Sequence, residues 1–251
     1  MSPRIPWSLL LACLTMPVTT YAEVELSLYY NERPPYFETE TTQIKGVRAQ
    51  QLKEIMREAK IEARWISLPV NRIMQQLTMK EGAHCTGGWF KTPEREQFAL
   101  FSEFFAYNEP ATAILRKNFF REEYAMLSQL LIIPNIRVMT KQGQYYGDYI
   151  EEAMKLYRTH RIEVTDNHQE MMQQIDLGRA DLMLVNRAEA EDLFLKNKRY
   201  ESTLTTIDVQ DKTPIPPLYI MCNKAIDPQL MQKINTGILR FRKTHHIEAM
   251  H

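Results

Sequence analysis

The chain has 251 residues, with 31 Lys and Arg against 31 Asp and Glu, so its formal net charge is zero. This balance argues against bulk binding to nucleic acid or to a membrane surface, because both favour an excess of basic residues. The chain has only 8 glycines and no low-complexity tract, which excludes a largely disordered protein, and its length suffices for one large domain or two small ones.

Residues 1–22 have the features of a secretory signal peptide. Arg4 lies in a short basic region, residues 7–16 are apolar, and residues 20–22 resemble a signal-peptidase cleavage site. The apolar run is too short for a transmembrane helix, and residues 10–13 bear only a faint similarity to a lipidation motif. We therefore expect export through the inner membrane, removal of this segment and a mature protein in the periplasm.

The next part of the chain predicts alternating strands and helices. Residues 23–30 alternate apolar and polar side chains, as expected of a strand, and two consecutive prolines stiffen the loop that follows. Apolar residues recur at helical spacing over residues 47–59. A second strand and a second helix are predicted at residues 61–68 and 73–79.

A third predicted strand, residues 83–90, ends in chemically distinctive residues. Gly88 precedes the aromatic pair Trp89 and Phe90, so both backbone and aromatic faces are available at the end of this strand. Thr92 then has the properties of a helix N-cap, and the proline after it suits the first helical position.

Arg95 lies one turn into this short helix. A guanidinium beside a strand end and a helix start suits a carboxylate, because its planar fork donates two parallel hydrogen bonds. The spacing alone equally allows Arg95 to pair with Glu94, Glu96 or Glu103 on the surface, where such an ion pair would contribute little to stability.

The remainder of the chain repeats the pattern. Strands are predicted at residues 111–116, 136–140, 161–165 and 218–223, and helices at residues 119–131, about 147–159, 168–177, 188–196 and 228–242. Residues 207–209 and 213–217 are interpreted as a crossover, and Asp227 followed by proline is a good start signal for the last helix.

Residues 92–105, T-P-E-R-E-Q-F-A-L-F-S-E-F-F, resemble the signature of bacterial extracellular solute-binding proteins of family 3. That family includes polar amino-acid receptors of ABC importers. The resemblance implies an α/β protein with the two-lobed periplasmic-binding-protein type II fold, in which each lobe is a mixed sheet flanked by helices and two strands form the hinge. Lobe 1 would comprise residues 23–105 and 216–251, and lobe 2 residues 106–215.

The resemblance also implies a ligand site between the lobes. The family's arginine, which grips the ligand carboxylate, falls on Arg95, beside the strand end at Gly88, Trp89 and Phe90. The loop after the first strand would bring further contacts to the cleft, from Tyr30, Arg33 and Tyr36. Ordinary loop packing remains the alternative for these three residues.

Four residues depart from the pattern of the family's amino-acid receptors. Arg48 stands where the family usually has an acid, and Gln144 and Tyr145 replace the hydroxyl residues of a ligand-binding turn. Asn186 stands where an acid binds the ligand ammonium, and a neutral amide cannot supply that ion pair. These departures count against a standard amino-acid ligand, although all four residues remain candidate polar or aromatic contacts.

Two cysteines remain after the signal peptide, Cys85 and Cys222. In an exported protein two such cysteines are expected either to form a disulfide or to remain as two buried thiols. We expect no metal site from them. The resemblance places the strand at residues 218–223 beside the strand at residues 83–90. It thereby implies a disulfide between the two cysteines, provided that the strand register brings them together.

The expected function is capture of a small polar or carboxylate-bearing solute for ABC-type uptake through a membrane permease. An orphan module that feeds a membrane sensor is the alternative. A dehydratase-like enzyme is a third possibility, in which His84 is the histidine nearest the predicted cleft, but no Ser-His-Asp or H-E-x-x-H arrangement is visible. We expect a monomer with no cofactor, no metal and no nucleic-acid partner.

Overall fold

The computed structural model describes residues 25–119, 121, 126–209, 211 and 215–249. The predicted signal peptide lies outside these residues. No helix in the described ranges is both long and apolar enough to cross a membrane.

The first part of the chain builds one sheet and the helices that cover it. Its elements are β1 (Leu26–Tyr30), β2 (Glu38–Glu40), β3 (Gln43–Lys45), α1 (Val47–Ala59), β4 (Ala63–Ser67), α2 (Val70–Gln76), β5 (Ala83–Trp89), α3 (Pro93–Glu96) and β6 (Ala99–Tyr107). The second part contains β7 (Ala111–Arg116), α4 (Leu127–Leu131), β8 (Arg137–Lys141), α5 (Asp148–Leu156), β9 (His160–Val164), α6 (His168–Asp176), β10 (Leu182–Asn186), α7 (Arg187–Lys196) and β11 (Leu204–Asp208). The chain ends with β12 (Pro217–Asn223) and α8 (Pro228–Thr244).

Ten of the twelve strands in the described residues form two five-stranded sheets, one in each lobe, and β2 pairs with β3 in a separate two-stranded sheet. The lobe 1 sheet has the order β4-β1-β5-β12-β6, and the lobe 2 sheet has the order β11-β7-β10-β8-β9. β1 runs parallel to both neighbours, whereas β12 is antiparallel to β5 and β6. The chain therefore leaves lobe 1 along β6 and returns to it along β12, so two adjacent strands lead to the hinge.

Lobe 1 is closed by the packing of α1 against α8. A Cβ atom at Gly237 would lie 2.6 Å from the carbonyl oxygen of Ile55 and 2.8 Å from the Cβ of Ala59. The absence of a side chain at Gly237 thus permits the close approach of the two helices. Asp227 caps α8 by accepting hydrogen bonds from two backbone N–H groups, as the sequence predicts.

The two remaining cysteines form a disulfide. Cys85 of β5 and Cys222 of β12 are register partners in the lobe 1 sheet, with Cα atoms 4.0 Å apart and sulfur atoms 2.00 Å apart. Both residues are fully buried. The predicted neighbourhood of the two strands and the predicted bond are both present in the structure.

Two predictions in lobe 2 are wrong. The helix predicted at residues 119–131 is replaced, where the chain is described, by a 3₁₀ turn at Lys117–Phe119 and by the short α4. α4 starts late because Met126 is extended and its backbone N–H donates to the side chain of Gln129, 2.8 Å away. Ile207 and Asp208, predicted to begin a crossover, are instead the last two residues of β11, which pairs with β7.

Candidate functional site

A cavity of about 710 Å³ lies between the two lobes. It is bordered by the carboxyl end of β5, the loop after β1, the hinge at residues 108–111 and the turn that precedes α5. All but one of the predicted contact residues line it, namely Arg33, Tyr36, Arg48, Gly88, Trp89, Phe90, Arg95, Gln144, Tyr145 and Asn186. Arg33 and Asn186 are 153 positions apart in the sequence, yet both line this cavity. They come together because the two lobes face each other.

Tyr30 is the exception. Its ring stacks on Phe37 with centroids 6.0 Å apart, and its hydroxyl lies 2.8 Å from the Oγ1 of Thr39. The side chain is buried in the lobe 1 core. Tyr30 thus takes the loop-packing alternative and does not face the cavity.

Arg95 is a buried guanidinium at the cavity wall. Thr92 caps its helix by accepting a hydrogen bond from the Arg95 backbone N–H, and one guanidinium nitrogen donates to the carbonyl oxygen of Phe90 at 2.9 Å. The guanidinium carbon lies 4.9 Å from the ring centroid of Trp89. These contacts fix the position of the charge and leave the other donors of the fork available.

Arg95 has no carboxylate partner among the residues that the structure describes. Only 9% of the residue is exposed, and among the described residues no carboxylate lies within ion-pair distance of it. Glu96 pairs with Lys91 instead. Burial lowers the pKa of Arg95, with smaller opposing effects from Glu94 and Tyr145, so an anion placed here would stabilise the charged form.

Aromatic rings from both lobes border the space beside Arg95. Trp89 is held by a hydrogen bond from its Nε1 to the Oγ1 of Thr86, 2.8 Å long. Phe90 of lobe 1 meets Tyr145 of lobe 2 edge to face, with centroids 6.2 Å apart. This pair closes part of the cleft with apolar surface, which suits an apolar or ring-bearing part of a solute.

Tyr36 lies among the charged residues on the other side of the cavity. The guanidinium carbons of Arg33 and Arg48 are 5.4 and 5.5 Å from its ring centroid. Its hydroxyl is buried, and the side chains of Asn186 and Glu109 approach it without reaching ordinary hydrogen-bond geometry. Burial, followed by the negative charges of Glu189 and Glu109, raises the pKa of Tyr36, so the hydroxyl stays protonated and able to donate.

Arg48 connects α1 to the hinge. Its guanidinium donates to the Oε1 of Gln51 at 2.8 Å and to the backbone carbonyl of Tyr107 at 2.9 Å. Both partners are neutral, and burial lowers the pKa of Arg48. Arg48 therefore lines the cavity while also joining α1 to the end of β6 within lobe 1.

Arg33 forms an ion pair with a carboxylate that the sequence did not predict to be near it. Its guanidinium binds both carboxylate oxygens of Glu189, at 2.6 and 2.7 Å. Glu189 belongs to lobe 2 and is fully buried, and its Oε1 is also 3.0 Å from the Nδ1 of His168. Burial alone would raise the pKa of Glu189, but Arg33 and His168 outweigh that effect and hold the pKa well below its usual range.

Asn186 ends β10 and precedes α7, next to the hinge. Its side-chain amide exchanges two hydrogen bonds with that of Asn108, 3.0 and 3.2 Å long. Nearby, Glu109 accepts a hydrogen bond from the backbone N–H of Ala188 at the start of α7. The position at which related receptors carry an acid is thus a neutral, internally paired amide, and the adjacent carboxylate comes from the hinge.

In the turn before α5, a backbone N–H group forms a hydrogen bond within the turn itself. The N–H of Gln144 donates to the carbonyl of Lys141 at 3.1 Å, and the Tyr145 hydroxyl bonds to Asp148. The backbone N–H of Gln144 is therefore used within the turn, whereas Gln144 and Tyr145 both line the cavity. Lys141, at the end of β8, lines the cavity and was not predicted.

His84 lies away from the cavity. Its Nδ1 is 2.9 Å from the hydroxyl of Tyr29, and its backbone N–H donates to the side chain of Asn223. The histidine nearest the charged cluster is His168, through its contact with Glu189. A catalytic role for His84 in the cleft has no geometric support.

The chain belongs to the bacterial extracellular solute-binding proteins, family 3, whose model matches residues 27–251. An ancestral arginine-binding protein bound to arginine superposes with a TM-score of 0.71 at 17% identity, covering 90% of this chain and 95% of that one. No curated protein matches the chain.

Two further solved structures are similar. A protein of glutathione import through a cystine ABC importer in Streptococcus mutans gives a TM-score of 0.69 at 13% identity, over 89% of this chain and 91% of that one. An ancestral amino-acid-binding protein, described as a precursor of cyclohexadienyl dehydratase, gives 0.65 at 18% identity, over 88% and 91%. These likenesses establish the type II periplasmic-binding-protein fold.

Proposed function

We propose that the protein is a periplasmic binding protein that captures a small carboxylate-bearing solute between its two lobes for ABC-type uptake. The observation that carries the proposal is Arg95, a buried and positioned guanidinium at the wall of the inter-lobe cavity without a carboxylate partner among the described residues. Buried charges in proteins are normally paired, so the missing partner is assigned to the solute.

The shape of the site supports capture. Solute-binding sites of this size are lined mainly by apolar and aromatic groups, with a few polar groups that fix orientation. Trp89, Phe90 and Tyr145 supply the apolar walls, and Arg95 supplies the orienting charge. Delivery to a membrane permease follows the example of the glutathione-import protein of Streptococcus mutans, whose partner is an ABC importer.

Isothermal titration of the purified protein with a panel of carboxylates and amino acids tests the proposal. At least one carboxylate should bind, and Arg95→Gln should weaken it by about 2–4 kcal/mol, roughly 30- to 700-fold, because the partner charge is left buried and unpaired. Arg95→Lys should recover only part of the affinity, since an ammonium lacks the planar fork.

The matched control is Arg64→Gln, which removes an exposed arginine of lobe 1 that pairs with Glu25 outside the cavity. This variant should bind like the unmodified protein. The proposal is wrong if no member of the panel binds to the folded protein, or if Arg95→Gln and Arg64→Gln bind equally well.

A further inference from the structure

The charges around the cavity do not cancel. Arg33 is neutralised by Glu189 through two short hydrogen bonds. Arg48 has neutral hydrogen-bond partners, but Glu109 is close enough to raise its pKa and offsets its charge in part. Arg95 of lobe 1 has no carboxylate at ion-pair distance in the part of the chain that the structure describes.

Lys141 is a second cation of this kind, and it belongs to lobe 2. It is half-buried, lines the main cavity and also borders a smaller adjoining cavity of about 300 Å³. Among the described residues, no carboxylate lies within ion-pair distance of its ammonium group. Burial, and next the charge of Arg33, lower the pKa of Lys141, which a bound anion would reverse.

The acidic residues that act on Lys141 from a greater distance are already engaged. Glu189 is bound to Arg33, Glu170 caps α6 through the backbone of Asn167, and Asp166 accepts from Gln174. Asp148 and Asp211 also line the cavity, and each accepts a hydrogen bond from a tyrosine hydroxyl rather than pairing with Lys141.

An ammonium group on the solute finds less support in this geometry. Asn186 is neutral and spends its amide on Asn108, and Glu189 is fully buried behind Arg33. Glu109 is the remaining inner carboxylate, and it lies beside Arg48 at the start of α7. Among the described residues, Arg95 of lobe 1 and Lys141 of lobe 2 thus both line the cavity without a carboxylate at ion-pair distance.

Building on the proposed solute-binding function, we propose that Lys141 is a second anion-binding group and that the solute is a dicarboxylate, with one carboxylate on Arg95 and the other on Lys141. Closure brings like charges on the two lobes toward each other across a low-dielectric cleft, which is unfavourable when the cleft is empty. A solute with two negative groups offsets both charges and links the lobes. The aromatic residues between them contact the carbon skeleton of the solute.

The test compares matched pairs of probes by isothermal titration. Linear dicarboxylates of four to eight carbons and isophthalate are each paired with their monomethyl esters, which keep the size but lose one charge. At least one dicarboxylate should bind about tenfold or more tightly than its ester, equivalent to about 1.4 kcal/mol. Lys141→Gln should reduce that ratio to near one and leave the affinity for the ester unchanged.

Lys155→Gln, on the exposed side of α5 in lobe 2, is the matched control and should keep the full ratio. Equal binding of diacid and ester, or equal losses for both in Lys141→Gln, overturns the dicarboxylate assignment while leaving solute binding intact. Tight binding of an amino acid that is insensitive to Lys141→Gln has the same meaning. If none of the probes or amino acids binds to the folded protein, solute binding itself fails, and the dicarboxylate assignment fails with it.

Discussion

Glu189 is a buried carboxylate of lobe 2 that is held by contacts from both lobes. Its carboxylate is fully buried and receives the Arg33 fork, the Nδ1 of His168 and the backbone N–H of Asn186. Its pKa lies well below the ordinary value of 4.5 in the folded protein. The folded state therefore binds fewer protons than the unfolded state at acid pH, and the stabilisation by Glu189 is present above about pH 4.5 and lost as pH falls below it.

The lowered pKa of Glu189 predicts how the stability of the protein changes in acid. Between pH 5 and pH 3 the melting temperature of the unmodified protein should fall more steeply than that of Glu189→Gln, which has no carboxyl group to titrate. At neutral pH the variant should be less stable by about 1–3 kcal/mol, because Arg33 is left partly buried without its countercharge. Differential scanning calorimetry over this pH range measures both effects.

Glu38→Gln provides the matched control. Glu38 also bridges the lobes, by pairing with Lys196 at 3.2 Å, but both side chains are largely exposed. Its loss should change stability by less than about 1 kcal/mol. Parallel acid curves for Glu189→Gln and the unmodified protein would contradict the assigned role of Glu189.

Residues of the site differ in how well the sequence predicts them. Thr92 and Arg95 lie within one helical turn, so a local capping pattern was enough to place the guanidinium at a strand end. The partner of Arg33 lies 156 positions away in the other lobe. No local pattern predicts that pairing, because it depends on how the lobes meet, and the same holds for Lys141 and Glu109.

At the level of elements, the disulfide joins the strand that carries the site to the strand that returns from lobe 2. Cys85 and Cys222 are 137 positions apart, so the bond closes a very long loop in the unfolded chain. The chain-entropy model assigns such a loop about 5 kcal/mol of stabilisation. Neither cysteine lines the cavity.

Replacing both cysteines by alanine should therefore lower the melting temperature by roughly 10–20 °C. Affinity for a bound solute should change less than threefold, because the wall residues of β5 are held by the sheet as well as by the bond. Calorimetry and titration on the same preparation check the two halves. The opposite pattern, with lost affinity at unchanged stability, would contradict this division of roles.

Most strands and helices were predicted from the sequence, but two elements of lobe 2 were not. The order of strands and helices was predictable because buried strands and amphipathic helices have distinct periods. The prediction of a helix at residues 119–131 was wrong because the apolar pattern continues through Met126. The Met126 backbone N–H donates to the side chain of Gln129, and α4 begins only after it. β11 was missed since its pairing with β7 lies in the return path, where prolines suggested only a crossover.

At the scale of the whole molecule, several side-chain contacts cross between the two lobes. Arg33 binds Glu189, Lys196 binds Glu38, and Phe90 meets Tyr145. Arg33, Phe90 and Tyr145 line the cavity in which, among the described residues, Arg95 and Lys141 have no carboxylate at ion-pair distance. The arrangement is that of a hinge protein whose cleft is completed by a solute.

A crystal structure of the protein with the tightest-binding solute of the carboxylate panel tests this account most directly. The decisive quantity is the distance between the guanidinium nitrogens of Arg95 and the nearest solute oxygen. The account predicts a carboxylate in the inter-lobe cavity at about 2.7–2.9 Å from Arg95, with the solute in contact with both lobes. An ordered solute outside the cavity, or one inside it with no anionic group within about 4 Å of Arg95, would contradict it.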